Sequence, residues 1–265
     1  MSSITIDKLI VLLVEPSTTQ QRIISKHLND LGVHEIDYSL CAEDALSRLC
    51  LNKPDLVISA MHLPDMTGTD FLQKIRNGDS CTDTPFMLIS SETGVRYLTP
   101  LRQAGITAIL PKPYEVEQLK QALYTTVEFL EPDATEFEEY SMDNIRVLIV
   151  DDSLTSRRHI IKLLNGLGIN QSDEAENGCE AIKYIEKEYY DLIVTDYNMP
   201  EMDGRELTEF IREKSSQQGV PVVMITSESD EGRLAAVEQS GVSAICDKPF
   251  DPNTIKRIIK TSVLN

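Results

Sequence analysis

The sequence predicts two tandem α/β domains, each an open, doubly wound parallel sheet with helices on both faces. Two observations carry that prediction. The first is an internal repeat. VLLVEPSTTQ from Val11 returns as VLIVDDSLTS from Val147, and LVISAMHLPDMTG from Leu56 returns as LIVTDYNMPEMDG from Leu192. MLISSE from Met87 pairs with VMITSE from Val223, and AILPKPYE from Ala108 with AICDKPFD from Ala244. All four pairs are 136 residues apart, a gapless period far too long for a solenoid, so the copies are tandem globular units. The second observation is the alternation, inside each copy, of short apolar runs with amphipathic stretches, which is the pattern of a parallel sheet with right-handed crossovers. The length of 265 residues lets each of two domains bury a core.

In the second copy the runs at 145–150 (IRVLIV), 191–195 (DLIVT), 220–225 (VPVVMI) and 242–246 (VSAIC) are β-branched and largely continuous. Strands buried on both faces read this way. Helical spacing of apolar residues predicts helices over 153–167, 178–188, 203–214 and 230–240, with 251–262 closing the domain. Ser153 and Asp230 stand where N-caps are expected. In such sheets ligands sit beyond the carboxyl ends of the strands, so chemistry is expected at the residues that end them.

The two copies occupy residues 1–130 and 145–265, and a strip of 14 residues, EPDATEFEEYSMDN, joins them over 131–144. The strip has six acids and no base, and carries a third of the formal charge of −18. Self-repulsion favours an extended linker; a helical connection continuing from Leu130, or docking through Phe137 and Tyr140, is the alternative. The overall negative charge disfavours sequence-independent nucleic-acid binding. No apolar stretch approaches the about 20 residues that span a bilayer. Asp7 and Glu15 bracket the short N-terminal apolar run, which suits a first strand rather than a signal peptide. The five cysteines (Cys41, Cys50, Cys81, Cys179, Cys246) have no CxxC spacing, so thiols of a cytoplasmic protein are expected rather than a metal or disulfide framework.

At the strand ends of the second copy stand Asp151 and Asp152, then Asp196 followed by Asn198, Met199 and Pro200, then Thr226, Ser227 and Glu228, and finally Lys248 and Pro249. Three carboxylates converging on one crevice repel one another, and a hard divalent cation relieves that conflict; an all-oxygen donor set suits Mg²⁺. Lysine and a threonine hydroxyl complement an anion rich in acceptor oxygens. Together these groups suit transfer of a phosphoryl group onto a carboxylate.

The paired acids after strand one, DYNMPEMDG, the TSE block and DKPF resemble the receiver domain of two-component response regulators, over essentially all of 145–265. The tandem arrangement is similar to chemotaxis-type regulators joined in series. The resemblance implies a flavodoxin-like sheet of five parallel strands in the order 2-1-3-4-5. It implies that Asp196 accepts phosphate from a sensor histidine kinase or phosphotransfer protein. Mg²⁺ would be held by Asp152, Asp196 and the backbone carbonyl of Asn198, with Asp151 acting through water. Thr226 would hydrogen-bond the phosphoryl group and Lys248 would pair with it, the Lys248–Pro249 peptide being cis. Phosphorylation would reshape residues 230–262, where a protein effector would bind. The protein would not be an enzyme on a separate substrate, although it would take phosphate from small donors and slowly release it. One departure is Ile245, which stands where the family usually has Tyr or Phe.

The first copy lacks the chemistry. Asp151 corresponds to Glu15, Asp152 to Pro16, Asp196 to Ala60, Asn198 to His62 and Thr226 to Ser90, while Lys248 corresponds to Lys112. A methyl group accepts no phosphate. Residues 1–130 therefore read as a pseudo-receiver that serves a partner, a homodimer contact or restraint of the second copy. A Mg²⁺-dependent aspartate phosphatase needs an acid where Asn198 stands, and a flavin carrier needs a neutral loop where DDSLTS stands, so both rank below signalling. The chain is expected either to act by protein contact alone or to be the receiver half of a longer regulator with an output domain such as a cyclic-dinucleotide synthase.

Overall fold

The computed structural model describes residues 4–78, 81–92, 100–131, 142–226, 241–248 and 252–263. The helix expected over 230–240 with its Asp230 cap, Ser227, Glu228, the cis Lys248–Pro249 peptide and most of the acidic strip lie outside the described residues. The chain divides into two compact units, Met1–Glu131 and Pro132–Asn265.

The first unit runs β1 (Ile10–Val14), α1 (Thr18–Asp30), β2 (Glu35–Ser39), α2 (Ala42–Asn52), β3 (Leu56–Ala60), α3 (Gly68–Arg76), β4 (Phe86–Ser90), β5 (Ala108–Pro111) and α4 (Val116–Leu130). Its five strands are all parallel, in the order β2-β1-β3-β4-β5. The second unit runs β6 (Arg146–Val150), α5 (Leu154–Gly166), β7 (Gln171–Ala175), α6 (Gly178–Ile185), β8 (Leu192–Asp196), α7 (Gly204–Lys214), β9 (Val222–Thr226), β10 (Ala244–Asp247) and α8 (Pro252–Ile258), which a π-helical turn continues over Ile259–Val263. Its sheet is the same, in the order β7-β6-β8-β9-β10. Both sheets have the flavodoxin-like receiver topology that the family resemblance implies.

Continuous apolar strands follow from two-sided burial. Val11 and Leu13 of β1 join one core cluster with Ile24, Leu28 and Leu119, while Leu12 and Val14 join another with Ala45, Phe71 and Leu72. Successive side chains point to opposite faces, and here both faces are covered. The second strand of each copy escaped the apolar-run reading for a physical reason. β2 (EIDYS) and β7 (QSDEA) lie at sheet edges, partly exposed along most of their length, and are held by parallel pairing to β1 and β6. An edge strand has no need of an apolar run.

The repeat begins earlier than its most conspicuous blocks. Short 3₁₀ turns at Ile6–Lys8 and Met142–Asn144 precede β1 and β6 at the same offset. Met142 is buried, and a Cβ on Gly168 would lie 3.3 Å from its Cβ. Asp143 accepts from Asn170 Nδ2 through Oδ1 at 2.9 Å and from Gln171 Nε2 through its carbonyl at 2.7 Å. The last three residues of the acidic strip are thus a turn packed on the second unit, not extended chain. The glycine pairs Gly32 and Gly168 (φ +97° and +88°) and Gly105 and Gly241 (φ +71° and +90°) keep the register, each at a left-handed position that disfavours a side chain.

Candidate functional site

Four strand ends of the second unit bring Asp151, Asp152, Asp196, Thr226 and Lys248 together. β6 stops at Val150 because Asp151 turns its side chain back onto the chain, accepting from the Ser153 N–H at 2.8 Å. Ser153 caps α5, as the sequence indicates, accepting from the Ser156 N–H at 3.3 Å. Asp196 ends β8, and the chain returns tightly so that α7 starts against it. A Cβ on Gly204 would lie 2.2 Å from the Asp196 carbonyl oxygen, so only glycine fits there. Asp203 caps α7 with a reciprocal bond to Glu206. The turn between them puts Glu201 at φ +66°.

Asp151, Asp196, Thr226 and Lys248 are buried, whereas Asp152 and Asn198 are exposed. Carboxylate oxygens of Asp151, Asp152 and Asp196 all lie within 4.8 Å of one another. The Lys248 ammonium reaches two of them, at 2.9 Å from Asp151 Oδ2 and 3.1 Å from Asp196 Oδ1. Its backbone N–H donates to the Thr226 carbonyl at 2.8 Å, which ties the end of β10 to the end of β9.

The electrostatics follow from that crowding. Burial pushes the Asp196 carboxyl up to about 6; Lys248 opposes the rise, and the Asp151 and Asp152 charges add to it. Partial desolvation and the Asp151 charge also raise the Asp152 carboxyl. Burial works against the Lys248 charge, but Asp151 and Asp196 outweigh it and hold the ammonium above the ordinary lysine range. Lys248 thus pairs with two of the three clustered carboxylates, and the donors of that cluster are all carboxylate oxygens. These residues fit a hard divalent cation such as Mg²⁺.

Two further residues belong to this site and were not singled out from the sequence. Ser156 Oγ donates to Asp151 Oδ2, and Arg157 Nη1 donates to the Asp151 carbonyl at 2.7 Å. Arg157 is buried and also pairs with Glu174 at 2.9 Å and Glu176 at 3.2 Å, at the end of β7. The available signal was their spacing, since Ser153, Ser156 and Arg157 share one helical face at i, i+3 and i+4.

The first unit places its equivalents in the same frame. Glu15 accepts from the Ser17 N–H at 3.0 Å and pairs with Lys112 at 3.3 Å. Ala60 ends β3, and Ser90 is buried at the end of β4. His62 is largely exposed, its Nε2 3.7 Å from Glu92 Oε1. Among the described residues the first unit has no trio of metal-ligating side chains. No helix of the described residues is long and apolar enough to cross a membrane.

The model of the response regulator receiver domain matches twice, over residues 11–124 and 147–260. Chemotaxis protein CheY-3 of Vibrio cholerae is 40% identical over 113 residues, covering 43% of this chain and 87% of that protein. Chemotaxis protein CheY of Pseudomonas aeruginosa is 35% identical over 116 residues, covering 44% and 94% respectively. A solved structure described as a probable two-component system response regulator/GGDEF domain protein is 25% identical, with TM-score 0.44, and covers 97% of this chain and 98% of its own. With both copies matched along nearly their full lengths, the chain belongs to the response regulator receiver domain family, which it carries twice in tandem.

Proposed function

We propose that the second unit is the phosphoryl-accepting switch of a phosphorelay, and that the first is a pseudo-receiver that binds without accepting phosphate. The observation that supports this best is the cluster of Asp151, Asp152 and Asp196, with Lys248 bridging Asp151 and Asp196, where the first copy has Glu15, Pro16 and Ala60 in the corresponding sequence positions. A carboxylate oxygen of Asp196 attacks the phosphorus of a phosphohistidine on a sensor histidine kinase or phosphotransfer protein. The new O–P bond forms as the P–N bond breaks, and the departing imidazole takes a proton from water. Lys248 moves from Asp196 to the incoming phosphoryl oxygens, and the Thr226 hydroxyl donates to one of them.

Asp152, Asp196 and the Asn198 carbonyl would hold Mg²⁺, with Asp151 acting through water, and the bound cation would supply the charge neutralisation that lets a phosphoryl group approach three carboxylates. The residues' own part is to keep Asp196 oriented and ionised and to return the phosphoryl group slowly to water. No separate substrate is turned over. A phosphoryl group adds up to about two negative charges at Asp196, and residues 230–262 are the face on which a protein effector would read the change. Residues 1–130 would contact that effector, a second copy of the chain, or the second unit. We place this chemistry in the cytoplasm, where histidine kinases phosphorylate their partners.

Incubation with Mg²⁺ and acetyl phosphate, followed by mass spectrometry, tests the reading. One Mg²⁺-dependent phosphoryl group on Asp196, absent in Asp196→Ala, is expected. Uptake in residues 1–130 would overturn the pseudo-receiver assignment. If removing residues 1–140 left partner binding, oligomeric state and phosphorylation kinetics unchanged, the first unit would have no such role.

A further inference from the structure

The two copies act as internal controls for each other, and they differ next to the site at a pair of adjacent helical residues. Ser156 and Arg157 of α5 correspond to Gln20 and Gln21 of α1. In the second unit both are buried and both bond to Asp151, one to its carboxylate and the other to its carbonyl. In the first unit Glu15 receives the Ser17 N–H and the Lys112 ammonium, while Gln21 Nε2 donates instead to the Ser39 carbonyl at 3.2 Å. The two contacts to the acid are therefore found in the copy that also carries Asp196.

Their effect follows from hydrogen-bonding capacity. A carboxylate offers about four lone-pair sites. Asp151 Oδ1 gives one to the Ser153 N–H, and Oδ2 gives one each to Ser156 Oγ and Lys248 Nζ. Without the serine hydroxyl, a buried acceptor on Oδ2 would have, among the described residues, the ammonium alone to satisfy it, and Lys248 would be drawn to Asp151 and away from Asp196. Arg157 immobilises the main chain of the same residue, and its ion pairs to Glu174 and Glu176 hold its own guanidinium in place. Resting on the phosphoryl-acceptor reading above, we infer that Ser156 and Arg157 are positioning residues that hold Asp151 at both ends, so that its carboxylate faces the cation site and Lys248 stays shared with Asp196.

The test uses the full chain and reads Mg²⁺ binding by calorimetry on unphosphorylated protein, beside the acetyl phosphate uptake rate and the melting temperature. Ser156→Ala is expected to weaken Mg²⁺ binding about tenfold, the usual scale for losing a partner of a metal ligand. Its uptake rate should fall by a similar factor, and Ser156→Thr, which keeps the hydroxyl, should restore both to within about threefold. If Ser156→Ala does not fold, Ser156→Cys replaces it, being nearly isosteric with only a weak donor. Arg157→Gln should weaken Mg²⁺ binding in the same direction. A variant that melts lower yet binds Mg²⁺ as the parent does would overturn the inference and leave Ser156 a packing residue. If the parent bound Mg²⁺ but took up no phosphoryl group, the acceptor reading would fail, while the Mg²⁺ comparison would still decide the positioning role.

Discussion

The Lys248 ammonium lies 3.1 Å from the Asp196 carboxylate, and neither group is more than 5% exposed. The same ammonium lies 2.9 Å from Asp151. A buried cation shared between two acids, with Asp152 beside them, leaves the metal-free site with an excess of negative charge. Its stability should therefore respond to charge removal, cation binding and pH in directions that can be worked out.

Asp196→Asn should stabilise the metal-free second unit at neutral pH. The folded-state carboxyl is raised, to about 6, above its unfolded value, chiefly by burial. The folded state therefore holds the proton more tightly than the unfolded state does. The ionised carboxylate costs nothing below about pH 4, and its cost grows as pH rises toward 6 and is complete above it. Urea unfolding should show a gain of roughly 1–3 kcal/mol for Asp196→Asn at pH 7, vanishing near pH 4. Saturating Mg²⁺ should close the gap by stabilising the parent. A variant less stable than the parent at pH 7 without Mg²⁺ would contradict this.

Lys248→Ala should act in the opposite sense, because it leaves Asp151 and Asp196 without their shared counter-ion. Removing one partner of a buried pair costs about 3–5 kcal/mol. The variant should recover a larger share of its stability on adding Mg²⁺ than the parent gains. Parallel denaturation curves at fixed ionic strength measure the difference.

The sheet and the clustering of Asp151, Asp152 and Asp196 were legible in the sequence because both rest on strong patterns. Two-sided burial writes continuous apolar runs such as VLIV, and acids ending those runs cannot be explained by packing. The edge strands β2 and β7 were not legible, since edge exposure leaves EIDYS and QSDEA without an apolar signal. The Met142–Asn144 turn was hidden inside a strip read by its charge, although Met142 repeats Ile6 at the common offset. Ser156 and Arg157 sit where polar residues on a helix usually face water, and only the turn of α5 toward the end of β6 reveals their contact with Asp151.

Gly204→Ala should cost more than Gly68→Ala, although the two glycines are equivalent positions. A Cβ at 204 would meet the Asp196 carbonyl oxygen at 2.2 Å, whereas one at 68 would meet the Ala60 carbonyl oxygen at 2.7 Å. Both obstacles are backbone, so the chain itself must shift. Overpacking of this kind costs about 1–3 kcal/mol, with 204 at the upper end. Because the displaced atoms belong to Asp196, Gly204→Ala should also slow acetyl phosphate uptake, and Gly68→Ala should not. Equal destabilisation and unchanged uptake in both would refute the argument.

Arg76 and Arg212 occupy equivalent positions at the ends of α3 and α7, and both tie down backbone carbonyls. Arg76 donates to four carbonyls, those of Thr82, Thr84, Ala104 and Gly105. Among the described residues, Arg212 donates to those of Gln218 and Gly241. Burial holds the Arg76 guanidinium down to about 10. Each carbonyl left unpartnered away from water costs about 1 kcal/mol or more. Arg76→Ala should therefore destabilise its unit by about 3 kcal/mol, and Arg212→Ala should destabilise the second unit in the same direction. Hydrogen exchange at 104–107 and 241–243 would read the loss locally.

Restoring the missing acceptor alone should not restore chemistry to the first unit. In an Asp196→Ala background, Ala60→Asp would put a carboxylate at the end of β3. Glu15 is already engaged by the Ser17 N–H at 3.0 Å and by Lys112 at 3.3 Å, and Pro16 brings no side-chain ligand. A lone new carboxylate there would pair with Lys112 and repel phosphate, so no Mg²⁺-dependent uptake is expected by mass spectrometry. Adding Pro16→Asp supplies the second free carboxylate and an oxygen-only cation site, and uptake at position 60 should then appear, more slowly than at Asp196 in the parent chain. Uptake in the single Ala60→Asp variant would mean that the acceptor carboxylate suffices without the neighbouring acids, and that the acid cluster of the second unit serves stability rather than transfer.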